Sequence, residues 1–271
     1  MKLLCLALSM AGGISAWAAT VYSSLPSPLP PNTPSESYEA NALSEFGDLV
    51  QLASGPAVLQ SATIAMSDWA YLSNWTGSVN GTTITSAGFY EPLTLNLYSA
   101  GAGNSVGPIF ASYTVDAFIP WRPEPSAACV NAPNNVNNAW LGPDGNCYNG
   151  ALSTVTFLLG GVSVPGQFIY GVAFNTQDSG YSPTGFSGPY NSLNFGVTLS
   201  PPTVGSNPLP QSYIAFSSEY GSPAVPFGYA DSSSYIGEID FQADTPEPTS
   251  MTLLGIGLLG ICLVHLRRAL A

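Results

Sequence analysis

The chain has 271 residues, only 7% of them charged, and a formal net charge of −12. All 16 acidic residues fall between Glu36 and Glu247, whereas the four basic ones are Lys2, Arg122, Arg267 and Arg268. So few cations exclude nucleic acid and anionic lipid as partners, because both need clustered Lys and Arg.

The first segment reads as a secretory signal peptide over residues 1–18. Met1-Lys2 is the basic start, Leu3 to Leu8 the apolar stretch, and Ala16-Trp17-Ala18 a cleavage site before Ala19. Sec is then the export route. Leu25 to Pro34 follows, with prolines at 26, 28, 30, 31 and 34. Such a stretch cannot donate ladder hydrogen bonds, so it predicts an extended arm.

Beyond the arm, short β-prone runs alternate with turn clusters. Strands are predicted over Asp48–Ala53, Val58–Ser67, Leu93–Ser99, Ile109–Phe118, Ser153–Leu159, Phe168–Phe174, Ser192–Leu199, Tyr213–Phe216 and Tyr235–Ala243. The period of two is clearest in Leu93-Thr-Leu-Asn-Leu-Tyr98, where the three leucines share one face. The fold expected for residues 19–243 is therefore all-β, a single β-sandwich or jelly roll of eight to ten strands. Ser179–Pro189 and Ser200–Gln211 read as long surface loops.

Cys129 and Cys147 are the two cysteines left once the terminal segments are set aside. In an oxidising compartment they are expected to pair, closing a loop worth roughly 3 kcal/mol. Zinc ligation is the rival, and two thiols without a nearby histidine make a poor site. Asp144-Gly-Asn146 inside this loop resembles a fragment of a calcium loop, to which Asp178 or Asp231 could add, although a tight turn explains the same residues. No cofactor is expected, with calcium left open.

The only histidine is His265, and no lysine follows Lys2. Ser-His-Asp, Cys-His, Schiff-base and P-loop chemistry thus lack their residues in 19–243. Carboxylate pairs remain, since a glycosidase needs only two. Glu238-Ile-Asp-Phe-Gln242 resembles the Glu-Ile-Asp-x-Glu strand of laminarinase-type glycoside hydrolases, but Gln242 stands where the acid/base glutamate belongs. Glu238 and Asp240 then read as the solvated face of an edge strand. Among the tryptophans, Trp69 follows an apolar strand and is assigned to the core. Trp121 and Trp140 are the expected exposed pair, a stacking surface for glycans.

The tail carries the most specific signal. Thr245-Pro-Glu-Pro-Thr-Ser precedes an apolar run from Met251 to Leu266 and then Arg267-Arg268. Residues 244–271 resemble a PEP-CTERM sorting tail, with a transmembrane helix over 249–266 and the arginines held on the cytoplasmic side. The resemblance implies that Pro246, Glu247 and Pro248, with Arg267 and Arg268, are read by an exosortase at the inner membrane of a bacterium. Cleavage would turn a transient anchor into release or transfer to the cell surface or exopolysaccharide. The body, from Val21-Tyr-Ser-Ser to Trp121-Arg-Pro, is similar to an ectodomain recurring among PEP-CTERM proteins, a likeness that brings no activity with it.

These readings describe an exported, non-enzymatic structural or adhesive component of the cell surface or matrix. A carbohydrate-binding, lectin-like module is the alternative, and a carboxylate-only glycosidase the third. The expected partners are Sec, an exosortase and exopolysaccharide.

Overall fold

The alternation in Leu93–Tyr98 is realised: Leu93, Leu95 and Leu97 are fully buried, while Thr94 and Asn96 look out from the other face. Each such leucine contributes about 1.5–3 kcal/mol on burial. A computed structural model describes residues 18–38, 41–74, 85–130, 138–174, 192–209, 211–217, 224–230 and 234–244. Signal peptide, transmembrane segment and the sorting residues Pro246, Glu247, Pro248, Arg267 and Arg268 lie outside them, as do Asp178 and Asp231. Among the described residues no helix is long and apolar enough to cross a membrane.

In chain order the strands are β1 (Ala18–Ser23), β2 (Ser35–Glu36), β3 (Leu43–Gly47), β4 (Leu49–Gln51), β5 (Ala57–Asp68), β6 (Gly88–Ala100), β7 (Val106–Pro120) and β8 (Trp140–Leu141). There follow β9 (Cys147–Tyr148), β10 (Ala151–Val164), β11 (Gln167–Ala173), β12 (Leu193–Thr198), β13 (Tyr213–Phe216), β14 (Val225–Ala230), β15 (Ile236–Gly237) and β16 (Ile239–Asp244). Each of the nine predicted runs contains a strand. The fold adds β1, β2, β3, β8, β9 and β14 to them, and Glu238 splits the last run into β15 and β16, so the described residues hold more strands than the eight to ten expected.

Two seven-stranded sheets form. The first runs β1-β16-β5-β12-β15, with β10 along the other edge of β5 and β2 against β12. The second runs β14-β13-β3-β11-β6-β7, with β4 also on β11. Rings from both meet between them: Phe46 of β3 lies 5.9 Å from Phe195 of β12, and Phe168 and Tyr170 of β11 lie 5.4 and 5.9 Å from Phe241 of β16. One continuous core links these side chains, so the layers pack face to face as a β-sandwich.

The proline arm forms no ladder of its own, as predicted, but it is not loose. Leu152 donates its backbone N–H to Pro31 O, and Val197 donates to Pro34 O. The arm therefore crosses β10 and β12 at the level of their backbones.

Register fixes which end of the sandwich each connection leaves from. The end of β5 at Asp68 pairs with Ala151 and Leu193, the first residues of β10 and β12. Gly88, opening β6, pairs with Pro120, closing β7. The connections 69–87, 121–150 and 174–192 thus share one end. β16 runs the other way, with Ile239 opposite Ile64 and Ala243 opposite Leu59, so the chain reaches residue 244 at the opposite end.

Candidate functional site

The chain bends between β3 and β4 at Asp48 and between β15 and β16 at Glu238, and the two bends meet across the sandwich. Asp48 Oδ2 accepts the Gly237 N–H at 2.7 Å. The Tyr170 hydroxyl donates to Asp48 Oδ2 at 3.2 Å and to Gly237 O at 3.1 Å. Ser24 Oγ donates to Gly237 O at 2.7 Å and accepts from Ile239 N at 2.9 Å. Glu238 itself donates its N–H to Gly196 O and accepts from Ala65 N. Every backbone group at this bend is paired, as burial demands.

Both side chains are inside. Asp48 is fully buried and Glu238 is 2% exposed. Burial raises the Asp48 carboxyl to about 7, against the opposing pull of the Gly237 N–H, Asn207 and Tyr170. It raises Glu238 to about 7 as well, against the hydrogen bond from Thr33. Thr33 Oγ1 donates to Glu238 Oε1 at 2.6 Å, while Oε2 is buried against Gly196 with no hydrogen-bond partner among the described residues.

Carboxyls displaced toward neutrality are general-acid candidates when they line a cleft. Here Asp48 faces the layer between the sheets, whereas Glu238 lies on the outer face of the first sheet beside Ala65 and Gly196, covered by Thr33 of the arm, and the partners of the two tie arm, β3–β4, β11 and β15–β16 together. The expectation that Glu238 and Asp240 form the solvated face of an edge strand is corrected: β16 lies between β1 and β5, Glu238 is buried and Asp240 half-buried. Strand order sets this, and residue type does not reveal it.

A second cluster occupies the end shared by the long connections. Arg122, the one Arg or Lys among the described residues, is 5% exposed. Its Nε donates to Trp69 O at 2.7 Å, Nη1 to Pro123 O at 3.0 Å, and its guanidinium carbon sits 4.3 Å from the centre of the Tyr71 ring. Burial pulls its pKa down, while Tyr71, Asp68 and Glu124 pull it up. Glu124 in turn accepts from Ser73 N and Oγ at 3.0 and 2.6 Å. These bonds fasten the start of the 69–87 connection to residues 122–124.

Trp69 and Trp140 exchange their expected exposure, and Trp121 lies between them in exposure. Trp140 is 8% exposed; its indole N–H donates to Gly150 O at 2.7 Å and its ring lies 5.7 Å from Tyr148. Trp121 is half-buried, 4.9 Å from Phe89, with its N–H on Thr85 O at 2.9 Å. Trp69, assigned to the core, is 38% exposed and lies over Gly150, whose Cα leaves the room its ring needs. The structure therefore does not present Trp121 and Trp140 as an exposed pair. The turn back to Gly150 buries Trp140, and no sequence pattern announces that.

The cysteines do pair, Cys129 with Cys147 at 1.98 Å. Within their loop Asp144 is turned onto its own chain, accepting from Asn146 N at 3.1 Å, Asn146 Nδ2 at 2.8 Å and Tyr148 Oη at 2.6 Å. These bonds hold its carboxyl below the usual range, the Tyr148 hydroxyl first among them. The β8–β9 turn uses Gly145 at φ 82°, which suits glycine. Among the described residues no group of three or more His, Cys, Asp or Glu is placed to hold a metal. A recess of about 250 Å³ lined by Glu36, Asn41, Leu43, Ile214 and Phe216 is smaller than typical ligand pockets of about 300–1,000 Å³.

Comparison with known proteins bears on the tail. Residues 244–268 match the family model described as the PEP-CTERM protein-sorting motif. No curated protein and no solved structure matches the chain. The chain thus carries the sorting motif of an exosortase substrate, with the export and surface address that motif implies.

Proposed function

We propose that this PEP-CTERM chain is a non-catalytic structural or adhesive component of the cell surface or extracellular matrix, displayed by its sandwich. The observation that carries the reading is the polarity of the fold. β16 delivers the chain to the sorting motif at one end, while the three connections bearing Trp69, Trp121 and Trp140 leave from the other. Within the sandwich, the end bearing these connections is the one remote from Ala243. The buried carboxyls fit the same reading, because they join elements of the sandwich.

Cells lacking the protein, complemented with the full chain or with one ending at residue 243, test it. Loss of matrix cohesion restored by the full chain alone is expected. Unchanged cohesion and matrix composition in the deletion strain would sink the structural reading.

A second reading is glycan binding. It is favoured by half-exposed aromatic rings, Trp69 at 38%, Tyr90 at 39% and Phe118 at 43%. Exopolysaccharide is the partner it names. The carboxylate-only glycosidase finds less support, because Glu238 is buried beneath Thr33 of the arm.

A further inference from the structure

We infer that the outer face of the second sheet, along β6, β7 and β11, is a lane for one chain of a neutral polysaccharide, an inference that rests on the glycan-binding reading and moves its site. The register places Tyr90 opposite Phe118, Pro92 opposite Asp116, Thr94 opposite Thr114 and Asn96 opposite Ser112, all pointing away from the core. Tyr90 and Phe118 meet edge to face at 5.3 Å, and Phe118 lies over Gly88, where a Cβ would come within 2.7 Å of its ring. Two exposed rings fixed in this way offer an apolar surface to the C–H face of a sugar at little entropic cost.

From the rings the lane continues as hydroxyls and amides. Thr94 and Thr114 join Oγ1 to Oγ1 at 2.9 Å, and Ser112 Oγ donates to Asn96 Oδ1 at 2.7 Å. Asn96 Nδ2 donates to Glu45 Oε1 at 2.9 Å, and Tyr98 Oη donates to the same oxygen at 2.8 Å. Glu45 lies over Gly171, the only residue type that leaves it room, and closes the lane on that side. Each hydroxyl in the row keeps acceptor capacity after its internal bond. From Tyr90 to Asn96 the row covers about 20 Å at the rise of a strand, a length suited to several linked sugars rather than one.

Charge selects the occupant. Glu45 and Asp116 are the charged side chains in this row, and the one cation of the described residues, Arg122, is buried among the connections at the end of the sandwich. An anionic polymer meets repulsion on this face, whereas a neutral polyhydroxylated chain finds rings to stack on and paired donors and acceptors to exchange with.

The test uses the full chain purified in detergent, run in native gels containing a soluble mixed-linkage β-glucan, a galactomannan, a dextran or, as the anionic comparison, alginate. Retardation by at least one neutral polymer and not by alginate, unaffected by added salt, is expected. Tyr90→Ala and Phe118→Ala should each weaken it about tenfold, with melting curves confirming that both variants fold. Thr94→Val with Thr114→Val, which keeps shape and removes the hydroxyls, supplies a second variant pair and should weaken it too. Thr156→Ala on the other sheet should leave it unchanged. Retardation lost in Trp69→Ala but kept in all of the lane variants would overturn this lane and leave glycan binding standing. No retardation by any neutral polymer would overturn both.

Discussion

Asp48 Oδ2 and the Gly237 N–H are joined over 2.7 Å from one sheet to the other, at the two places where a strand breaks and resumes. The bond gives a buried acid a structural duty, and with Glu238 it makes stability depend on pH. Each folded carboxyl is raised to about 7, above the unfolded values of about 4. A group raised on folding contributes stability that is complete below the unfolded pKa and is lost as pH rises through the folded one. The melting temperature should therefore fall from pH 5 to pH 8. Glu238→Gln keeps an acceptor for Thr33 and cannot ionise, so its melting temperature should vary less over that interval; an unchanged slope would contradict the assignment.

Thr33→Val removes the hydrogen bond from Thr33 to the Glu238 carboxyl while preserving shape. Among the described residues the carboxyl is then left with both oxygens unpaired in a buried site, a cost of about 1–3 kcal/mol. Denaturant titration at pH 5 should show this loss, and a larger one at pH 8, where ionisation adds to it.

Reduction of Cys129–Cys147, or the double change to serine, should cost roughly 3 kcal/mol on the chain-entropy account of a loop with sequence separation 18. Trp140 sits in the same loop, so its fluorescence offers the readout. An unaltered unfolding midpoint would show that the loop's noncovalent contacts, Trp140 on Gly150 and Ser126 on Ala139 among them, hold it without the covalent bond.

Gly171→Ala places a Cβ 2.1 Å from Glu45 Oε1. Glu45 must then leave Asn96 and Tyr98, and two hydrogen bonds worth about 1.5–3 kcal/mol each to a charged acceptor are at stake. Destabilisation with an intact sandwich is expected by circular dichroism and thermal melting.

Replacing Pro246-Glu-Pro248 by alanines should block exosortase processing and hold the chain in the membrane fraction. Fractionation with an antibody against the sandwich checks this. Equal release of wild type and variant would show that the motif is not the signal in this chain.

How far the sequence could be read differs by element. Leu93–Tyr98 announces its strand and its buried face because alternation is a local property. β3, Leu43-Ser-Glu-Phe-Gly47, contains Ser, Glu and Gly and becomes a strand only by lying between β11 and β13. β14 has Pro226 and Gly228 within it and survives at the edge of its sheet, where a missing N–H is tolerated. The cysteines were legible from compartment chemistry. Asp48 and Glu238 were not, since burial of a carboxyl follows from sheet order and from the bends that bring them to Gly237 and Thr33. The exposure of Trp69 and the burial of Trp140 follow likewise from how distant connections fold back on Gly150.

The placement of β16 also has a mechanical consequence. A pull on the tail enters the sandwich at residue 244 and runs along a strand bonded to β5 and flanked by β1. If the resisting grip is at the far end, the force lies parallel to the strands. The hydrogen bonds from Ile239 to Ala243 are then loaded in shear, all together, instead of being unzipped one at a time.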